Sequence, residues 1–217
     1  DDEFADFETY DYYIQTTKNN TQVSSGDYVR PALKRGLAIE KKIGVNPYKF
    51  GFIGSTDAHS GLASPEENNF QGKMAADSTP ETKAPALGNP TGASGWDMSA
   101  SGLAAVWASE NSREAIYAAF KRKETYATSG PRLRVQFFAG WDFPAGAEAS
   151  DDFAAIGYQH GVPMGGDLAG TDSGAAPQFL VRAVKDPVDA NLDRVQMVKG
   201  WVDAAGEQHE MVYNIDW

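Results

Sequence analysis

The sequence predicts an α/β body that is followed by a β-rich region. Two stretches, residues 27–53 and 102–138, combine a helical pattern with apolar strand-like runs. Beyond about residue 139, strand-like runs alternate with turns rich in Asp, Asn, Gly and Pro. Helix and strand patterns in alternation favour an α/β architecture, whereas successive short strands favour a sandwich. We therefore expect a first domain over 1–140 and a β-rich, sandwich-like, incomplete region over 141–217.

The first helix is expected to begin at Asp27, a good N-cap, and to end before Gly44, which suits the position after a helix end. Apolar residues between them follow helical spacing. Asn46 and Pro47 then form a turn, and the apolar run 48–53 predicts a buried strand. This order places the next loop at the strand's carboxyl end, where α/β folds carry their sites.

Residues 61–100 are rich in Ala, Gly, Pro, Ser, Asn and Thr and have no lasting periodicity. A loop of this length in a compact domain is usually a lid, an insertion or disordered. Because it directly follows a polar motif, we interpret it as a lid over a site. A surface insertion without a function is the alternative.

The second helix–strand unit begins with a short apolar strand over 102–108. Asn111 and Glu114 then predict a variant capping box, with Asn111 as the N-cap of a helix that closes at three basic residues. The run 132–138 alternates polar and apolar residues, which indicates an antiparallel or edge strand. Further strands are predicted over 179–184, 194–201 and 210–215.

The composition limits the function classes. A net charge of -11 argues against a general basic patch for nucleic acid or anionic membrane. No apolar run approaches 18 residues, so no membrane span is expected, and no signal peptide is visible. There is no cysteine, so any metal must be held by His, Asp, Glu or other oxygen ligands. The acidic, cysteine-free composition favours a periplasmic or secreted protein, with a cytoplasmic one as the alternative.

The motif Asp57-Ala-His59 is the sharpest chemical signal. On an extended segment, residues i and i+2 point to the same side, so both side chains can reach one ion. The small residues around the pair let the backbone turn closely about that point, and the Asp could act as a base for a metal-bound water. The alternative is a polar turn with an ordinary structural histidine, because this spacing also occurs by chance.

Four stretches resemble the C-terminal part of the DUF3604 family: "NPYKFGFIGSTDAHSG", "RKETYATSGPRLRVQFFAGWDF", "GVPMGGDL" and "LDRVQMVKGWVDAAGEQHE". That family in turn is similar to the PHP and amidohydrolase-like metal-dependent hydrolases. The resemblance implies the C-terminal part of a PHP-like, TIM-type barrel, in which a "GSDAH"-like motif binds the catalytic metal. Here that motif falls on Gly54, Asp57, Ala58 and His59. Zn or Mn is the expected metal, with Fe or Mg as alternatives.

The resemblance also implies ligands that this sequence does not supply. Its three histidines are His59, His160 and His209, the latter two in polar, loop-like surroundings, and no His-x-His motif occurs. A catalytic zinc needs about three protein ligands. The sequence starts at Asp1 rather than at Met, and we interpret it as a piece of a longer protein. The missing N-terminal portion would then supply the other ligands, and this chain alone is expected to be inactive.

Two functional hypotheses remain from the sequence. The first is a fragment of a metal-dependent hydrolase of phosphoesterase type that acts on a small molecule. Asp57 would be a metal ligand and possible base, and Arg132 would hold an anionic substrate through a bidentate contact. An ion pair or a turn contact is the alternative role for Arg132. The second hypothesis is a non-catalytic binding or interdomain module built on the β-sandwich.

Overall fold

The computed structural model describes residues 28–56, 58–59, 61, 79, 81 and 102–216. Its helices are α1 (Val29–Ile43), α2 (Arg113–Arg122) and α3 (Phe153–His160). Its strands are β1 (Leu103–Val106), β2 (Thr125–Thr128), β3 (Arg134–Gly140), β4 (Gly161–Pro163), β5 (Gln178–Val184), β6 (Val195–Val202) and β7 (Gln208–Asp216). The chain divides into two compact units. The first unit contains α1 and β6–β7, and the second contains segment 50–55 together with α2, α3 and β1–β5.

In the first unit, α1 packs on the antiparallel hairpin of β6 and β7. The predicted helix end is confirmed: Gly44 has φ 80° and donates its N–H to the carbonyl of Glu40, as a left-handed C-cap does. The start predicted at Asp27 lies outside the described residues. The turn between β6 and β7 closes through a hydrogen bond from the Asp203 N–H to the Glu207 carbonyl, with Gly206 at φ 96°.

The second unit has a small core between α3 and the antiparallel sheet β4–β3–β5. Phe138 of β3 is fully buried and meets Phe153 and Tyr158 of α3 edge-on, at 5.8 and 5.0 Å between ring centroids. Leu180 of β5 and Ala147 of a short 3₁₀ turn complete this core. The predicted strands over 132–138, 179–184, 194–201 and 210–215 are confirmed as β3, β5, β6 and β7 within a residue or two at most ends.

β1 and β2, which precede and follow α2 in the sequence, form a separate antiparallel pair. The helix was predicted correctly, but its N-cap was placed one residue early. Ser112, not Asn111, accepts a hydrogen bond from the Ala115 N–H at 3.2 Å, and Ser112 has the extended backbone that a cap requires. Ser112 also donates to the Glu110 carboxylate.

The prediction of an α/β body that forms the C-terminal part of a PHP-like, TIM-type barrel is wrong. A barrel of that type needs parallel strands, whereas every strand pair among the described residues is antiparallel and none of their sheets closes. Lys123, at φ 63°, ends α2, and β2 then runs back along β1, with Leu103 opposite Thr128 and Val106 opposite Thr125. This strand–helix–strand unit therefore has an antiparallel pair where a barrel has a parallel one. The described residues form a β-rich fold of small antiparallel sheets with few helices.

Two further expectations are corrected. The run 48–53 does not form a buried strand, because none of its residues belongs to a strand and Ile53 is 61% exposed. The region after residue 139 contains the helix α3, and His160 ends that helix rather than lying in a loop. The predicted lid over 61–100 falls almost entirely outside the described residues. No helix in the described part of the chain is long and apolar enough to cross a membrane.

Candidate functional site

Segment 50–55, which leads into the Asp-x-His motif, lies against the β1–β2 pair at very close range. A Cβ atom on Gly54 would lie 2.9 Å from the carbonyl oxygen of Leu103 and 3.0 Å from that of Thr128. A Cβ atom on Gly102 would lie 2.7 Å from the carbonyl oxygens of Ser55 and Thr128. Only glycine allows backbone to approach backbone this closely. The position of the chain at Ser55 is therefore fixed by packing within the second unit.

The structure describes only one of the two residues of the motif. Asp57 lies outside the described residues. His59 is described and exposed, and the Ala58 N–H that precedes it donates to the Thr56 hydroxyl at 3.4 Å. Among the residues that the structure describes, no group of three or more His, Asp or Glu side chains could hold a metal. The metal site at Asp57 and His59 stays a prediction.

The backbone of Arg132, the predicted substrate-binding residue, is hydrogen-bonded to the side chain of Asp186. Its N–H donates to Asp186 Oδ2 at 2.7 Å, and the Val188 N–H donates to Oδ1 at 3.1 Å. Asp186 is only 6% exposed. These N–H groups, the Arg132 donor first, and the nearby charges of Arg132 and Lys185 lower the pKa of Asp186. The Arg132 side chain is on the surface, and its predicted contact with an anion stays a prediction.

A buried carboxylate that sequence reasoning missed is Glu124, at 1% exposure between α2 and β2. Arg122 donates its Nε to Glu124 Oε2 at 2.8 Å, and the Tyr158 hydroxyl donates to Oε1 at 2.8 Å. Burial, followed by the hydrogen bond and charge of Glu124, raises the pKa of Tyr158 to about 12. The phenol therefore stays protonated as a donor. The network joins the end of α2 to α3, and nothing in the sequence pattern distinguishes Glu124 from an ordinary surface carboxylate.

His209 lies on β7, not in a loop, and has a structural partner. Its Nε2 is 2.9 Å from Asp203 Oδ2, and its ring stacks on Trp201 at 5.2 Å between centroids. The hydrogen bond from His209 is the main reason why the pKa of Asp203 is lowered. Lys41 of α1 donates to the carbonyls of Asp203 and Ala204. His209 thus belongs to a group of contacts around the β6–β7 turn, which agrees with a structural role.

Comparison with known proteins gives one result. A family model described as "Protein of unknown function (DUF3604)" matches residues 1–217. No curated protein and no solved structure matches the chain. The resemblance to DUF3604 is therefore confirmed, whereas the further resemblance to PHP and amidohydrolase-like hydrolases has no support among these comparisons.

Proposed function

Since the chain belongs to the DUF3604 family, whose function is unknown, we propose from its residues that it contributes a pair of metal ligands, Asp57 and His59, to a metal-dependent hydrolase. The observation that carries the proposal is the close packing of Gly54 and Gly102, which fixes the backbone two residues before Asp57. A rigid backbone next to the ligands is what a metal site needs for precise geometry. A carboxylate and an imidazole are donors that suit Zn or Mn.

The donor types fit a metal, but the number of donors does not. A catalytic zinc is held by about three protein ligands, and the described residues contain no cluster of that size. Since the sequence has no His-x-His motif, we propose that another segment of the same protein supplies the remaining ligands. On this proposal, the present chain alone binds metal weakly and does not hydrolyse substrate.

The reaction class that we propose is hydrolysis of a small phosphoester. A bound divalent metal would lower the pKa of a water and polarise a phosphoryl oxygen. In this chain, Asp57 would orient that water and accept its proton at a carboxylate oxygen. Arg132 would hold the phosphoryl group, because a guanidinium matches the geometry of phosphate oxygens.

The decisive experiment measures metal content and phosphoesterase activity of the whole protein with Asp57→Asn or His59→Ala. We expect at least a tenfold loss of bound metal after dialysis, by elemental analysis, and loss of p-nitrophenyl phosphate hydrolysis. Glu207→Gln and His209→Ala are the matched controls. Glu207-Gln-His209 repeats the acid-x-His spacing, but it lies at the β6–β7 turn, where His209 contacts Asp203. Unchanged metal and activity in Asp57→Asn would reject the proposal.

A second candidate function is a non-catalytic binding or interdomain module. It is favoured by the apolar side of the β3–β5 sheet that lies opposite its core. On this side Phe179, 47% exposed, stacks on Phe137 with 5.7 Å between ring centroids. Exposed aromatic pairs of this kind occur where another protein surface packs. This candidate predicts that Phe179→Ser weakens association with the rest of the protein, whereas Asp57→Asn has no effect on metal content.

A further inference from the structure

The hairpin of β6 and β7 is a two-stranded sheet with one covered face. On the covered side, Lys34 of α1 lies against Gly200 and pairs with Glu210 at 2.9 Å. Because side chains alternate along a strand, the odd-numbered residues of the hairpin face the other way. No third strand pairs with either strand among the described residues. Although α1 covers one face, the two outer edges of this sheet still carry unpaired backbone groups that an additional strand could pair.

Within residues 28–56 and 102–216, the outer edge of β7 is paired with no other strand, and β7 carries few of the residues that oppose strand pairing. Edge strands are normally blocked by lysine, proline or a bulge. β7 contains no lysine or proline over its nine residues, and the irregularity in the hairpin lies at Val195/Gln196, at its far end. On the side away from α1, β7 also presents Met211, Tyr213 and Ile215, which are 48%, 42% and 53% exposed.

The direction of the backbone groups follows from the turn. The Asp203–Glu207 pair is hydrogen-bonded through the backbone, and hydrogen-bonded pairs alternate with non-hydrogen-bonded pairs in an antiparallel ladder. With the observed register, the pair Val198–Val212 is of the second kind. The N–H and C=O groups of Val212, and of the residues two positions before and after it, therefore point away from β6.

We propose that this edge binds a second copy of the same chain, with β7 pairing antiparallel to its counterpart about a two-fold axis at Val212. In this register Met211 lies opposite Tyr213 of the other copy, and Glu210 lies opposite Asn214. Centring on Glu210 instead would place two carboxylates opposite each other, which is destabilising. In this register the sequence of β7 is thus complementary to itself, as an isologous interface requires. The proposal is independent of the proposed hydrolase function.

The charge of the chain gives this interface a characteristic salt dependence. With a net charge of -11, two copies repel each other at long range. The proposed contacts are backbone hydrogen bonds and apolar side chains, which salt does not weaken. Screening should therefore strengthen the association as salt rises from 0.05 to roughly 0.5 M, which is opposite to the behaviour of an interface built on ion pairs.

The test compares the full chain with Val212→Pro and Val198→Pro by sedimentation equilibrium over a range of concentrations. Proline is tolerated on an edge where the N–H faces outward, so each variant keeps the β6–β7 pairing but blocks one edge. We expect the weight-average mass of the parent chain to rise towards twice the monomer mass, more so at high salt. Val198→Pro should behave like the parent chain, and Val212→Pro should remain monomeric.

Circular dichroism of each variant checks that the fold is retained. If Val212→Pro unfolds, Met211→Lys replaces it, because an edge lysine opposes pairing without changing the backbone. A monomeric parent chain at all concentrations overturns the proposal. So does a dimer that Val198→Pro disrupts as strongly as Val212→Pro, or one that salt dissociates.

Discussion

Gly157→Ala tests whether packing or helix propensity decides the stability of the second unit. Gly157 lies within α3, where alanine would ordinarily stabilise the helix by about 1 kcal/mol. Its Cβ, however, would lie 2.4 Å from Cδ2 and Cε2 of Phe138, whereas carbon atoms pack best at about 3.5–4.0 Å. Overpacking costs about 1–3 kcal/mol, and the Phe138 ring is held by Phe153 and Tyr158. Because 2.4 Å is more than 1 Å inside normal carbon contact, we take the upper part of this range, about 2–3 kcal/mol. Less the gain of about 1 kcal/mol from propensity, the free energy of unfolding should fall by about 1–2 kcal/mol.

The assay is urea unfolding followed by circular dichroism. Ala155→Gly is the control on the exposed side of the same helix, and it should cost about 1 kcal/mol through propensity alone. A second comparison introduces Gly157→Ala into a Phe138→Leu background, where the smaller side chain leaves room for the methyl group. There the substitution should be less harmful than in the parent chain. Stabilisation by Gly157→Ala, or an equal cost in both backgrounds, would refute the packing argument.

Three other substitutions test individual contacts elsewhere in the second unit. Ser112→Ala should lower the stability of α2 by about 1 kcal/mol in urea unfolding, with Asn111→Ala nearly neutral; the reverse order would restore the earlier cap assignment. Asp186→Asn should remove part of the acid dependence of the urea midpoint. The folded-state pKa of Asp186 is lowered, so its contribution is present above the unfolded pKa and is lost as pH falls through the folded value. Tyr158→Phe should cost about 1–3 kcal/mol, because the buried Glu124 loses a donor, and it should remove the tyrosine that ionises near pH 12 from a spectroscopic titration.

Local patterns predicted those elements whose determinants lie within a few residues. The end of α1 at Gly44 and the alternation along β3 are of this kind. The helix α3 was missed because it is short, carries Gly157 in its interior and has no side-chain cap hydrogen bond. Its stability comes from contacts with Phe138, which lies 15 residues or more away in sequence. Asn111 and Ser112 are both good caps by type, and Ser112 is distinguished by its extended backbone and by the hydrogen bond that it accepts from the Ala115 N–H.

The predicted strand over 48–53 was wrong for a different reason. Its apolar residues predicted a strand, but periodicity does not identify which neighbours a segment will have. The informative residue was Gly54, because a glycine at the end of an apolar run often marks a close backbone approach. That approach is made to the carbonyls of Leu103 and Thr128. The α/β unit was inferred from the order of elements, which does not fix strand direction, and the barrel was implied by the resemblance to PHP-like hydrolases.

Loss of the barrel changes the argument for the metal site in one respect only. A ligand pair at Asp57 and His59 requires a rigid backbone and small neighbours, and neither depends on a barrel. The barrel was needed to explain where the other ligands come from, since parallel strands end together at one face. Without it, the proposed site would need those ligands from a contact between this chain and another segment. Metal affinity and assembly are then coupled, so the whole protein should hold metal far more tightly than the present chain, and Asp57→Asn should abolish that difference.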